Sequence, residues 1–102
     1  MKVESFNDVW DAIEDSPAKA AQMRARAQLM MAIQKTVDAW DVTQAAAAKR
    51  LRLTQPRMND LMRGRIDKFS LDALMNLAIK AGLSVRVNIR PAGREKKDMA
   101  VV

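Results

Sequence analysis

The sequence predicts an all-α fold, a bundle of four to five helices followed by a C-terminal β-strand that pairs across a dimer. Three observations predict it. A run of good helix formers without Gly or Pro extends from residue 18 to residue 39. Thr43, Thr54 and Ser70 each stand just before a short apolar-periodic segment, where a helix needs a hydroxyl cap. Residues 84–90 then change period: Val85, Val87 and Ile89 alternate with Arg86, Asn88 and Arg90, as in a half-buried strand.

The 102 residues suit one domain with a small core. They divide into an acidic arm with a short helical turn (1–15), a helical domain (16–83), a dimerisation strand (84–90) and a flexible tail (91–102). In the arm, Phe6, Val9, Trp10 and Ile13 recur at helical spacing, so Asn7–Ile13 has one apolar face. Ser16-Pro17 opens the long helix. The hydroxyl caps free N–H groups, and Pro loses nothing in a first turn. Along that helix Ala20, Met23, Ala27, Met30 and Val37 share a line, with Leu29 and Ile33 beside it, and form the expected core face. Met31 interrupts the polar line of Arg24, Gln28, Lys35 and Asp38. It is read as edging the core, the alternative being an exposed side chain that a partner covers.

The second helix spans 44–51, with small Ala45–Ala48 allowing close approach to a neighbour. Thr54 caps the third, which keeps Pro56 within its tolerant first turn and turns Met58, Leu61 and Met62 inward. Gly64 is its expected stop. Ser70 caps the fourth, with Leu71, Leu74, Leu77 and Ala78 as its stripe and Gly82 as its stop. Phe69 precedes that cap and is placed to pack on Leu74 as a hydrophobic staple.

The net charge is +6, but it is unevenly spread. In residues 1–15 Lys2 alone opposes Glu4, Asp8, Asp11, Glu14 and Asp15. In 49–65 Lys49, Arg50, Arg52, Arg57, Arg63 and Arg65 are opposed only by Asp60. An acidic arm beside a basic patch suggests two partners of opposite sign. Cys and His are both absent, which removes disulfides, thiolate nucleophiles, Cys/His zinc sites and imidazole bases. With three glycines there is no phosphate-cradling loop, and no close carboxylate pair lies on a pocket-like segment. An enzyme is therefore not expected, nor is a cofactor or metal. No apolar run approaches the ~18 residues of a membrane span, and Met1–Asp11 lacks the apolar core of a signal peptide. The expectation is a cytoplasmic protein.

The central feature is the pair of short helices joined by the tight turn Leu51-Arg52-Leu53. Ala47 sits where the two cross, and Leu51, Leu53, Met58 and Leu61 form the wedge that sets their angle. A helix exposed in this way fits the major groove of B-DNA, its first-turn side chains meeting base edges. Residues Val42–Ile66 resemble the helix-turn-helix of the lambdoid-repressor, or Xre, superfamily, and Phe69–Leu83 is similar to the next helix of that superfamily. The likeness covers about residues 29–83 and implies a lambda-repressor-like fold. The larger layout, with its acidic leader, Ser-Pro-opened helix and closing strand, resembles small HigA-like antitoxins encoded beside RelE/HigB-like ribonuclease toxins.

That resemblance implies an antitoxin that represses its own operon and neutralises a small basic toxin. It implies roles for eleven residues. Gln44 meets a phosphate, and Gln55 reads a base, adenine being the natural bidentate partner. Pro56 offers only apolar contact, for example to a thymine methyl. Arg57 faces the backbone or a guanine, Asn59 reaches a base one turn on, and Asp60 opposes DNA unless it orders Arg57 or Arg63. Arg63, Arg65 and Lys68 hold phosphates, and Thr54 frees the helix end that carries the readers. Arg52 departs from the family, which usually has Gly in this turn; a positive φ there costs on the order of 1 kcal/mol. The implied compensation is a basic side chain near phosphate.

A lone strand needs a neighbour for its N–H and C=O groups. Val85, Val87 and Ile89 are therefore expected to pair with their two-fold mates in a homodimer that reads a palindromic operator. Two alternatives stand beside the antitoxin. One is a stand-alone Xre-family repressor without a toxin. The other is a helical protein-interaction or RNA-binding module, disfavoured because RNA readers stack bases on exposed aromatics and the chain has only Phe6, Trp10, Trp40 and Phe69.

Overall fold

A computed structural model describes residues 16–91 of the chain. They form four α-helices: α1 Pro17–Trp40, α2 Gln44–Leu51, α3 Gln55–Met62 and α4 Leu71–Lys80, with a 3-10 turn at Ile66–Lys68 between α3 and α4. Each helix starts at the hydroxyl residue read from the sequence. Ser16 Oγ accepts from the Lys19 N–H at 3.4 Å, Thr43 Oγ1 from Ala46 at 3.1 Å, Thr54 Oγ1 from Arg57 at 3.3 Å and Ser70 Oγ from Ala73 at 3.1 Å. A cap of this kind contributes about 1 kcal/mol.

Three helices end in the same hydrogen-bonded loop, in which a left-handed residue lets the chain turn back on the last carbonyls. After α3 the Gly64 N–H donates to the Leu61 carbonyl at 3.1 Å and Arg65 to Asp60 at 3.0 Å. After α4 Gly82 donates to Ile79 and Leu83 to Ala78, both at 2.9 Å. After α2 the pattern is the same, Arg52 to Lys49 and Leu53 to Ala48. There, however, the left-handed residue is Arg52, with φ 59° and ψ 43°, in place of a glycine.

The core joins Met30, Ile33 and Val37 of α1 to Ala47, Ala48 and Leu51 of α2, Met58 and Leu61 of α3, Phe69, and Leu74, Leu77 and Ala78 of α4. Among the described residues no polar or charged side chain is buried in it. Phe69 and Leu74 both lie in this cluster, on either side of the Ser70 cap. Gln34 of α1 adds one long-range polar tie, its Nε2 donating to the Leu61 carbonyl at 2.8 Å.

The expected core face of α1 is only half used. Its 24 residues span about 36 Å, whereas α2, α3 and α4 hold 8 to 10 residues each, about 12–15 Å. The shorter helices cover the C-terminal half of α1. Ala20 and Ala27 are thus half-buried and Met23 is exposed. Met31 is 63% exposed, so it does not edge the core.

No β-strand is present among the described residues. Ser84–Arg90 leaves α4 without regular secondary structure. Val85 packs against the core, while Val87 and Ile89 are 70% and 87% exposed. A strand is defined by the ladder to its neighbour, and the described residues supply none here. The acidic arm with its helical turn, residues 1–15, lies outside the described residues, as does the tail beyond Pro91.

Candidate nucleic-acid interface

α3 buries one side only. Met58 and Leu61, three residues apart, face α1 and α2, and Met62 packs half-buried beside them. The opposite side and the N-terminal end carry Thr54, Gln55, Pro56 and Asn59, all exposed. The Thr54 cap satisfies one N–H of the first turn and leaves the end of the helix open to a ligand. Pro56 sits in that turn, where its missing N–H is no loss.

Cations stand on both sides of this helix along the chain. Arg52 lies exposed in the turn before it, and Arg63, Arg65 and Lys68 lie exposed in the segment after it. Gln44 is exposed at the start of α2, next to the Thr43 cap. Lys49 and Arg50, in the last turn of α2, suit the negative end of that helix. The result is a helix whose exposed edge is polar, with exposed cations before and after it in the chain, the residue types that meet bases and phosphates.

Two side chains of the region are committed to the protein itself. The Arg57 guanidinium donates through Nη1 to the Lys68 carbonyl at 2.7 Å, and its Cζ lies 4.1 Å from the centroid of the Phe69 ring. Asp60 does not order Arg57 or Arg63; its Oδ1 faces Arg65 Nε at 3.9 Å. The loop after α3 explains that choice, because the Arg65 N–H bonds the Asp60 carbonyl and brings the two side chains together. At that distance and exposure the pair contributes little to stability.

Sequence reading also missed two contacts outside the motif's exposed edge. Arg50 covers the Trp40 ring, its Cζ 4.1 Å from the centroid, and Gln34 reaches the end of α3. The first joins residues ten apart and the second residues 27 apart, so neither lies within reach of a periodicity argument. Among the described residues no group of three or more His, Cys, Asp or Glu is placed to hold a metal ion. No helix among them is long and apolar enough to cross a membrane.

The model of the family described as a helix-turn-helix domain matches residues 12–90. A solved chain that carries the name of an XRE family transcriptional regulator is 30% identical, with a TM-score of 0.66 over 72% of this chain and 82% of that one. The chain belongs to the XRE-type helix-turn-helix family. No curated protein matches it. In XRE terms α2, the Arg52 turn and α3 are the motif, α3 is the recognition helix, and such a motif is a DNA-binding unit.

Proposed function

We propose that this XRE-type chain is a sequence-specific DNA-binding transcriptional regulator, and that it is the antitoxin of a type II toxin–antitoxin pair. The observation that carries the DNA-binding reading is the open end of α3, with Gln55, Pro56 and Asn59 exposed between Arg52 and the Arg63–Lys68 segment. In this reading Gln55 and Asn59 read base edges and Pro56 meets a thymine methyl. Gln44, Arg52, Arg63, Arg65 and Lys68 hold phosphates and fix the register.

Val85, Val87 and Ile89 pair with their two-fold mates in a homodimer. The exposure of Val87 and Ile89 supports this, since among the described residues nothing covers these two apolar side chains of one alternating face. Two recognition helices then address half-sites of a palindromic operator about one helical turn apart. The acidic arm is suited to cover a basic, RNA-cutting toxin, as the layout of HigA-like antitoxins implies. The stand-alone repressor remains the second reading, favoured by the name of the solved relative, which mentions regulation and no toxin. A single-strand RNA reader gains no support from the described aromatics, because Arg50 covers Trp40 and Phe69 is buried.

The test has two arms. A footprint of the purified protein on the DNA upstream of its gene should show two symmetric protected half-sites; uniform coating at every concentration would count against sequence-specific regulation. Co-expression with a small basic protein encoded next to it should give a stable complex. Recovery of this chain alone would favour the stand-alone repressor.

A further inference from the structure

The geometry points to Arg57 as a positioning residue that clamps the segment 63–69 onto the recognition helix, rather than as a contact to base or phosphate. The inference rests on the DNA-binding reading and deepens it. Arg57 occupies the third position of α3, where that reading expects a side chain facing DNA. Its guanidinium instead turns toward the segment that follows the helix. Nη1 donates to the Lys68 carbonyl at 2.7 Å, and the planar group lies over the Phe69 ring at 4.1 Å. Phe69 is 2% exposed, so the platform beneath the guanidinium is fixed by the core. Arg57 is itself half-buried, unlike Gln55, Pro56 and Asn59 around it.

The segment so held carries three exposed cations, Arg63, Arg65 and Lys68. Its other ties to α3 are the Arg63 N–H to the Asn59 carbonyl and the Arg65 N–H to the Asp60 carbonyl, both at 3.0 Å, the Gly64 N–H to the Leu61 carbonyl at 3.1 Å, and the longer Asp60–Arg65 pair of side chains at 3.9 Å. Those ties act at the beginning of the segment. Arg57 acts at its end, where the 3-10 turn meets α4. Covering a ring while donating to a carbonyl from a rigid fork is suited to the planar guanidinium, and a compact, strongly hydrated ammonium does not replace it. Arg57 thereby sets where the cations stand relative to the reading edge.

The experiment compares charge with shape. Affinity for the duplex upstream of the gene and for a scrambled duplex is measured over a salt series for the full chain, Arg57→Lys, Arg57→Gln and Arg63→Ala. Each phosphate contact contributes a slope of about 0.9 in log affinity against log salt. Arg57→Lys keeps the charge, yet it should lose at least as much slope as Arg63→Ala, and on both duplexes, because Arg65 and Lys68 lose their alignment. Arg57→Gln should match it.

A wild-type slope in Arg57→Lys would make Arg57 an ordinary phosphate contact and overturn the inference. A loss confined to the upstream duplex, with the slope kept, would make it a base reader and overturn it as well. If the wild-type chain binds no duplex in a salt-dependent way, the DNA-binding reading fails instead. Should Arg57→Lys melt below the assay temperature, the unmodified protein decides. Its Arg57 side-chain N–H resonances should be resolved and slowly exchanging without DNA and unmoved by the duplex. Fast exchange without DNA, or a shift on adding the duplex, would overturn the inference.

Discussion

Replacing Arg52 by Gly should raise stability and lower DNA affinity together, and the size of both effects follows from the turn. Arg52 holds φ 59° and ψ 43°, in the loop position that Gly64 and Gly82 fill after α3 and α4. For a residue with a Cβ the left-handed region costs roughly 1–2 kcal/mol. Glycine removes that cost but returns about 0.5–1 kcal/mol through the greater freedom of the unfolded chain. The net gain is about 0.5–1 kcal/mol, which in a domain of this size is a rise of roughly 2–8 °C in Tm.

Binding should move the other way. The exposed guanidinium stands two residues before the cap of the recognition helix, and if it meets a phosphate its loss lowers the salt slope by about 0.9 per protomer. Thermal melting by circular dichroism and a fluorescence-anisotropy salt series measure the pair. Arg52→Asn is the control, since Asn tolerates the left-handed region and removes the charge. It should match the loss of slope with a smaller gain in Tm. A fall in Tm for Arg52→Gly would refute the strain argument. An unchanged slope with a raised Tm would remove Arg52 from the interface.

Other substitutions separate the remaining roles. Gln55→Ala should weaken binding to the operator by roughly 1–3 kcal/mol and leave a scrambled duplex unaffected, as competition titrations would register. Arg63→Ala should weaken both duplexes alike and flatten the salt dependence. Thr54→Ala removes the N–H acceptor at the start of α3 and should cost about 1 kcal/mol in chemical denaturation. Val87→Asp should leave the monomer folded, because the side chain is 70% exposed in the single chain, while sedimentation shows the dimer lost.

The features legible in the sequence are those decided within a few residues. Four hydroxyl caps and the glycines at 64 and 82 were readable because each acts on N–H or C=O groups at most five positions away. The motif was readable because its inward residues repeat at helical spacing. The positive φ at Arg52 followed from its place in the turn. What escaped depends on things that are distant along the chain. Whether Met23 is covered is set by the lengths of the three shorter helices, not by the pattern on α1. Arg57 finds its partner in a carbonyl eleven residues on, and a carbonyl has no signature in a sequence. Asp60 meets Arg65 because the loop at Gly64 folds back, which charge spacing on a helix does not foresee. Residues 84–90 form no strand among the described residues, because periodicity names a face and supplies no neighbour for a ladder.

The central claim is that the open end of α3 enters the major groove, and amide chemical-shift mapping on adding the duplex upstream of the gene tests it most directly. The largest shifts are expected at residues 54–59 other than Pro56, which has no N–H, flanked by smaller ones at Gln44, Arg52 and the 63–68 segment. Shifts gathered on α1 and α4, with residues 54–59 unmoved, would contradict the account.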